Sequence, residues 1–101
     1  MAKYCVANGN LYENGISNEI KVGTGANLRV QATGSGSFQV VGKLTANGTS
    51  KPLNMLRLSD YNNISTINDD DIYAGDVTGY YSISVANVSN VDKVYATIYT
   101  D

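Results

Sequence analysis

Histidine and cysteine are scarce in this chain, and their scarcity limits its chemistry. The 101 residues include no histidine, one cysteine and no tryptophan. General acid–base and nucleophilic catalysis usually draw on histidine, so its absence excludes Ser-His-Asp and Cys-His arrangements. One cysteine without histidine also leaves no ligand set for a zinc ion. We therefore expect a protein that binds through its surface, is not an enzyme, and carries no metal or cofactor.

The lone cysteine, Cys5, can form no disulfide within the chain. In its alternating Tyr-Cys-Val context a small buried apolar role is more common than a reactive thiol, so we expect Cys5 to be buried. The N-terminal residues lack the long apolar stretch of a signal peptide, and no segment approaches the roughly 20 apolar residues that span a bilayer. We expect synthesis in a cytoplasm and no membrane insertion.

Charged residues are also few, at 16% of the chain with a net charge of −2. The seven basic residues are scattered, whereas nucleic-acid binders carry a basic patch, so we expect no nucleic-acid partner. Asp69, Asp70, Asp71 and Asp76 form the one carboxylate cluster of the sequence. Their spacing matches no EF-hand loop, and a solvated turn is a more favoured interpretation than a cation site.

The dominant pattern is an alternation of apolar and polar residues, which is typical of strands with one buried face. It is clear in three segments, residues 27–33, 81–86 and 94–99. After residues 34–36, a glycine-rich segment typical of a turn, residues 37–44 continue the alternation, which predicts a hairpin. The inward side chains of its second strand would be Phe38, Val40 and, at its end, Leu44.

Shorter strand candidates lie elsewhere. Three are bounded by Asn, Asp or Gly clusters, at residues 53–59, 64–67 and 72–77, and three more lie at residues 3–7, 11–13 and 20–22. The Asn-Gly pairs at 8–9 and 14–15 favour tight hairpin turns between the N-terminal ones. No segment shows an apolar 3.6-residue period over three turns, so we expect essentially no helix, or at most a single turn within residues 55–63.

Eight or nine short strands predict an all-β fold in one domain spanning residues 1–101. We expect an antiparallel two-sheet β-sandwich, Ig-like or jelly-roll-like, with a barrel as the alternative. Residues 1–25 would form an N-terminal assembly arm, because their strands are too short to build a core alone. A domain of this size gains stability by assembly, so we expect a homo-oligomer.

Four of the eight tyrosines are candidate partner contacts. Tyr95 and Tyr99 share a strand face opposite the apolar residues of their segment, and Tyr80 and Tyr81 are adjacent, so one of these two must point outward. Tyrosine combines a large contact area with a polar tip and is enriched in interfaces. It is also a common strand former, and a purely structural role fits these positions equally well.

Several motifs from residue 27 onward match a loose pattern that is shared by one family of small β-domains. In that pattern a glycine-framed F-x-V-x-G strand precedes a polar turn, an I-Y strand follows, and D-V-x-G opens the next strand. The matching segments are residues 28–30, 36–42, 47–49, 52–53, 67, 72–73, 76–81 and 94–98. In these segments the chain resembles short β-sandwich domains of tailed-bacteriophage virions, found among capsid decoration proteins, head fibres and tail-tip modules.

The resemblance implies a structural virion protein of a tailed phage, most directly an accessory capsid protein that docks on the capsid or other virion proteins as an oligomer. Lys51-Pro52-Leu53 stands where the family often has an aromatic residue, and Ser82 and Ser84 where it commonly has a basic one. The alternative is a receptor- or carbohydrate-binding module, in which the four candidate tyrosines stack on a host surface glycan.

Overall fold

The computed structural model describes residues 4–68 and 71–100, and within these ranges the chain is all-β without a helix. The strands are β1 (Cys5–Glu13), β2 (Ile16–Ser17), β3 (Ile20–Lys21), β4 (Asn27–Lys43), β5 (Lys51–Pro52), β6 (Met55–Arg57), β7 (Asn63–Ile64), β8 (Ile72–Asp76) and β9 (Ser82–Tyr99). Residues 55–63, the candidate for a single helical turn, form two short strands and the turn between them, in agreement with the expectation of essentially no helix.

The described strands form a single antiparallel sheet. Its order is β2-β1-β9-β4-β8-β6-β7, with β3 also pairing with β9 and β5 with β4. The prediction of an all-β antiparallel fold is confirmed. The two separate sheets of an Ig-like or jelly-roll-like sandwich are not, because β4 and β9 pair with each other along nearly their whole length and join all parts of the network.

The two central strands must bend sharply. β4 has 17 residues and β9 has 18, and a straight strand of that length would measure about 55 Å. The protein measures only 34 × 32 × 21 Å along its principal axes. The bend divides the sheet into a wide half, built on residues 27–34 and 91–99 with β1 and β8 beside them, and a narrow half, built on residues 37–43 and 82–89 with β3 and β5 beside them.

Glycines and asparagines form the bend. The β4–β9 register is irregular between Thr33 and Gln39, and a Cβ on Gly36 would lie 1.5 Å from the carbonyl oxygen of Ser89. Gly34, Asn87 and Asn90 have positive φ angles of 116°, 54° and 56°. The predicted hairpin at residues 34–36 is therefore wrong. These glycines let two continuous strands approach and bend. The two strands predicted at residues 81–86 and 94–99 are likewise joined in one strand, β9, which begins at Ser82.

One hydrophobic core lies between the halves. It includes Leu28, Val30, Val94, Ala96 and Ile98 from the wide half and Phe38, Val40, Ile83 and Val85 from the narrow half. The inward faces predicted from alternation are confirmed at these positions. Leu44 is an exception, with 68% of its surface exposed, because β4 ends at Lys43 and the alternation no longer applies beyond it.

The N-terminal residues belong to this core. β1 is one nine-residue strand that runs through Asn8 and Gly9, so the turn predicted there is wrong, whereas the turn at Asn14 and Gly15 joins β1 to β2 as predicted. Leu11 is fully buried, and Val22 is 1% exposed. The segment is thus integrated in the fold, and its role in assembly stays a prediction.

Cys5 is exposed, and the prediction of its burial is wrong. It begins β1 beside a bulge, since the pairing with β9 shifts register between Cys5 and Ala7. Neighbouring strands occupy only one side of β1 at this point, so the alternation that buries Leu11 does not bury Cys5.

Candidate functional site

The outer face of the wide half is assembled by cross-strand register. Residues that pair directly across a sheet point to the same side. Gln31 of β4 pairs with Ile72 of β8 and with Tyr95 of β9, and Tyr95 in turn pairs with Asn10 of β1. These four residues form one row across four strands, on the side opposite the buried Val30.

Two further rows extend this face toward the end of β9. Arg29 pairs with Ala74 and Thr97. Asn27 pairs with Asp76 and Tyr99. The face therefore combines aromatic, amide and charged side chains over a core of aliphatic residues.

A depression on this face, which we name the outer slot, has a volume of about 300 Å³. It is lined by Arg29, Val30, Gln31, Ile72, Tyr95 and Thr97. The side chains of Ile72 and Tyr95 are 42% and 44% exposed. They stand on the two strands that flank β4, about 10 Å apart, with the Gln31 amide between them. The volume is at the lower end of the range for small-ligand pockets.

A second depression lies on the other side of Arg29. It has a volume of about 330 Å³, and we name it the asparagine depression after Asn27, Asn54 and Asn63, which line it together with Asp76 and Arg29. Arg29 thus borders both depressions. The two depressions share Arg29 in their linings but differ in chemistry, because the walls of the outer slot are apolar and those of the asparagine depression carry amide groups.

Arg29 is a cation without a carboxylate partner in the described part of the chain. Its Nη1 donates one hydrogen bond, of 3.2 Å, to the carbonyl oxygen of Leu28. In contrast, the three ion pairs among the described residues join Lys43 to Glu19 at 3.0 Å, Arg57 to Asp60 at 3.0 Å and Lys93 to Glu13 at 3.1 Å. Within the described part of the chain, the positive charge of Arg29 is therefore not balanced by an ion pair.

The nearest acid on this face is occupied by its own turn. The Asp76 carboxylate accepts a hydrogen bond of 2.9 Å from the backbone N–H of Thr78. This bond and a second one from the Thr78 hydroxyl hold the pKa of Asp76 below its usual range. Asp76 therefore stays ionised near neutral pH and makes the far side of the asparagine depression acidic.

The four candidate tyrosines fall into two groups. Tyr95 and Tyr99 share the outer face of the wide half, as the alternation predicts. Tyr80 packs against the core, and its ring leaves no room for a side chain at Gly42, where a Cβ would lie 2.6 Å from it. The ring of Tyr81 lies under the ammonium of Lys21, at 5.7 Å. The structure thus brings together one pair but not all four.

Sequence reasoning missed Arg29, Gln31 and Ile72 as partners of Tyr95. The alternation does place Arg29 and Gln31 opposite the buried residues of their strand. What the sequence lacks is the register that sets Ile72 and Tyr95 on either side of Gln31.

Among the described residues no group of three or more acidic, cysteine or histidine side chains could hold a metal ion. Asp69 and Asp70 of the predicted acidic turn lie outside the described residues. Asp71 is described, and its carboxylate accepts a 2.7 Å hydrogen bond from the backbone N–H of Ile72. Hydrogen bonds from Ser59 and Ile72 lower the pKa of Asp71. The described part of the chain also contains no helix long and apolar enough to cross a membrane.

No protein-family model and no curated protein sequence matches the chain. Two solved structures share its fold. The SPBc2 prophage-derived protein YomS has a TM-score of 0.81 at 16% identity, over 99% of this chain and 96% of that chain. The PBSX exported protein XepA has a TM-score of 0.80 at 18% identity, over 99% of this chain but 39% of that chain, so this chain spans about two fifths of XepA. At these identities the likeness establishes a shared fold with a prophage-derived protein.

Proposed function

We propose that this chain is an accessory structural protein of a tailed-phage virion, of the capsid-decoration or head-fibre type. It would dock on the capsid or another virion protein through the outer face of the wide half. The observation that carries the proposal is the fold shared with the prophage-derived YomS along nearly the whole length of both chains. The motif resemblance to phage virion domains supports it independently.

The lining of the outer slot supports binding rather than catalysis. It offers aliphatic, amide, guanidinium, hydroxyl and phenol groups but no carboxylate, imidazole or thiol. A surface of this composition, aromatic and arginine-bearing with few opposed charges, is typical of the centre of a protein interface.

The edge of the sheet at β1 and β2 supports self-association. Its exposed apolar side chains are Tyr4, Val6 and Ile16. β2 pairs with the Tyr12–Glu13 end of β1, and Asn18 donates hydrogen bonds to the carbonyl oxygens of Leu11 and Asn10. The edge that remains for pairing with a second copy is therefore the first part of β1, residues 5–9. The Val6→Lys variant should therefore shift the native mass toward the monomer. An unchanged mass would exclude this edge as the contact.

Co-sedimentation tests the virion role directly. Particles produced from the same phage genome would be purified on a density gradient, stripped of loosely bound protein with salt, and analysed by quantitative mass spectrometry. We expect the chain in the particle fraction at a fixed ratio to the capsid protein. Its recovery only in the particle-free fraction would contradict the proposal.

A second role, as a receptor- or carbohydrate-binding module, is favoured by the outer slot itself. Tyr95 exposes nearly half of its surface beside Gln31 and Arg29, which offer hydrogen bonds to hydroxyl groups. The chain displayed on a multivalent scaffold should be retained by host cell-wall fractions, and Tyr95→Ser should reduce retention. No retention of the multivalent wild type would exclude this role.

A further inference from the structure

Arg29 lies at the centre of the outer face and donates one hydrogen bond within the described part of the chain. We propose that the outer slot binds a saccharide that carries an oxyanion, a carboxylate or a phosphate, and that Arg29 selects for this charge. The inference rests on the carbohydrate-binding role proposed above and adds the chemical class of the ligand.

The charge requirement follows from the surroundings of Arg29. A guanidinium has five N–H donors in a planar fork, and one of them is used, by the carbonyl oxygen of Leu28 at 3.2 Å. The residue is half-buried, so its guanidinium has lost part of its contact with water, and no carboxylate among the described residues replaces it. An oxyanion would replace the lost contact with water by two parallel charge-assisted hydrogen bonds to the guanidinium.

The walls of the outer slot indicate that the ligand contains a ring with apolar faces. Tyr95 and Ile72 face each other across Gln31 and present apolar surface to a ring lying between them. The Gln31 amide beneath can donate to and accept from ring hydroxyls, and so can the hydroxyl of Thr97. Because Arg29 borders only one end of the slot, the oxyanion should be a substituent of the ring rather than a free inorganic ion.

The asparagine depression sets the direction of a longer ligand. Its amides suit a neutral sugar, whereas the ionised Asp76 on its far side would repel a second anion. The charged group is therefore expected on the slot side of Arg29.

The net charge of the chain disfavours the binding of an acidic sugar. The chain has a net charge of −2, so its overall field repels anions weakly. A preference for acidic sugars over neutral ones must then arise locally, and Arg29 is the cation at the site that can supply it.

Three probes that share one ring test the inference: glucose, glucuronate and glucose 6-phosphate, which differ only at carbon 6. Titration of the full chain, followed by the backbone amide signals of Gln31 and Thr97, would give the three dissociation constants. We expect at least one acidic probe to bind about tenfold or more tightly than glucose. Comparison of the two acidic probes separates a carboxylate ligand from a phosphate ligand.

Variants assign the preference to its source. Arg29→Gln should make the three dissociation constants equal, and Arg29→Lys should retain part of the preference. Tyr95→Ser should weaken the binding of all three probes by a similar factor. The control is Lys93→Gln, which removes a cation two residues from Tyr95 on the same face but one paired with Glu13. It should leave the preference unchanged.

Equal binding of glucose and the acidic probes by the wild type would overturn the inference, as would a preference that survives Arg29→Gln. Either result would leave the carbohydrate-binding role standing, because a sugar would still bind. No binding of any probe would also overturn the inference, while the carbohydrate-binding role would be judged by retention of the multivalent chain and the virion role by co-sedimentation.

Discussion

The wide and narrow halves of the sheet are built from the same two strands but differ in their neighbours. In the wide half, β4 and β9 lie between β8, of five residues, and β1, of nine residues. In the narrow half their neighbours are β3 and β5, of two residues each. One bent pair of strands can thus close a core with one half and present a broad outer face with the other.

The tyrosines show the functional side of the same difference. In the wide half, Tyr95 exposes 44% of its surface beside a depression. In the narrow half, Tyr80 packs against Gly42 and Tyr81 lies under Lys21. Aromatic surface is therefore available to a partner on the wide half and largely occupied within the narrow one.

The largest expected effect is on stability at the edge of the wide half. Leu11→Ala should lower the free energy of unfolding by about 2–5 kcal/mol, because Leu11 is fully buried in the common core. Urea denaturation would measure it, with Ile16→Ala, at a position 63% exposed, as the control. If both variants changed stability equally little, the N-terminal residues would be a separable arm.

The junction between the halves should be nearly as sensitive. Gly36→Ala places a methyl group against the carbonyl oxygen of Ser89 and should cost about 1–3 kcal/mol through the backbone shift it forces. Ser35→Ala, at an exposed position of the same strand, is the matched control for the denaturation midpoint. A Gly36→Ala variant as stable as this control would mean that the halves are not joined by a close strand approach.

Acid should weaken both halves by a smaller amount. The side chain of Lys43 lowers the pKa of Glu19 in the narrow half, and the backbone N–H of Thr78 lowers the pKa of Asp76 in the wide half. In the turn between β6 and β7, the backbone N–H of Asn62 lowers the pKa of Asp60. Their pKa values rise on unfolding, so the stability they contribute is present above the unfolded values and is lost as pH falls through the folded ones. The unfolding midpoint should therefore decline below about pH 4.

Single substitutions identify which half of the sheet contributes to the loss of stability in acid. Glu19→Gln should remove part of the acid sensitivity by acting on the narrow half, and Asp76→Asn should do so by acting on the wide half. Both measurements need only denaturation curves over a pH series. A midpoint that rises between pH 5 and pH 3 would have the wrong sign for this explanation.

Alternation in the sequence was sufficient to predict the all-β class and the buried face of each long strand. It identified Leu28 and Val30 in β4 and Val94 and Ile98 in β9, because a period of two depends only on local geometry. It could not predict the bend. Glycine and asparagine tolerate positive φ in turns and in bulges alike, so residues 34–36 carry the same local pattern as a hairpin turn.

The candidate site was predictable only in part. The outward direction of Tyr95 and Tyr99 follows from their spacing. The neighbourhood of Ile72, Gln31 and Tyr95 depends on how β8 and β9 align with β4, which is set by long-range packing. Likewise, the fact that Arg29 forms no ion pair with a described residue is a property of the folded surface.

We propose that the outer face of the wide half is the surface through which the protein binds. Particle co-sedimentation of two double variants tests it most directly: Ile72→Ser with Tyr95→Ser on this face, and Leu44→Ser with Tyr61→Ser as the control. Leu44 and Tyr61 are 68% and 73% exposed, whereas Ile72 and Tyr95 are 42% and 44% exposed. The control variant therefore reports any loss of particle association that is caused by a general decrease in exposed apolar surface. With both variants folded, we predict that the first loses particle association and the control retains it. Retention of the first variant, or equal loss of both variants, would mean that the outer face is not the binding surface.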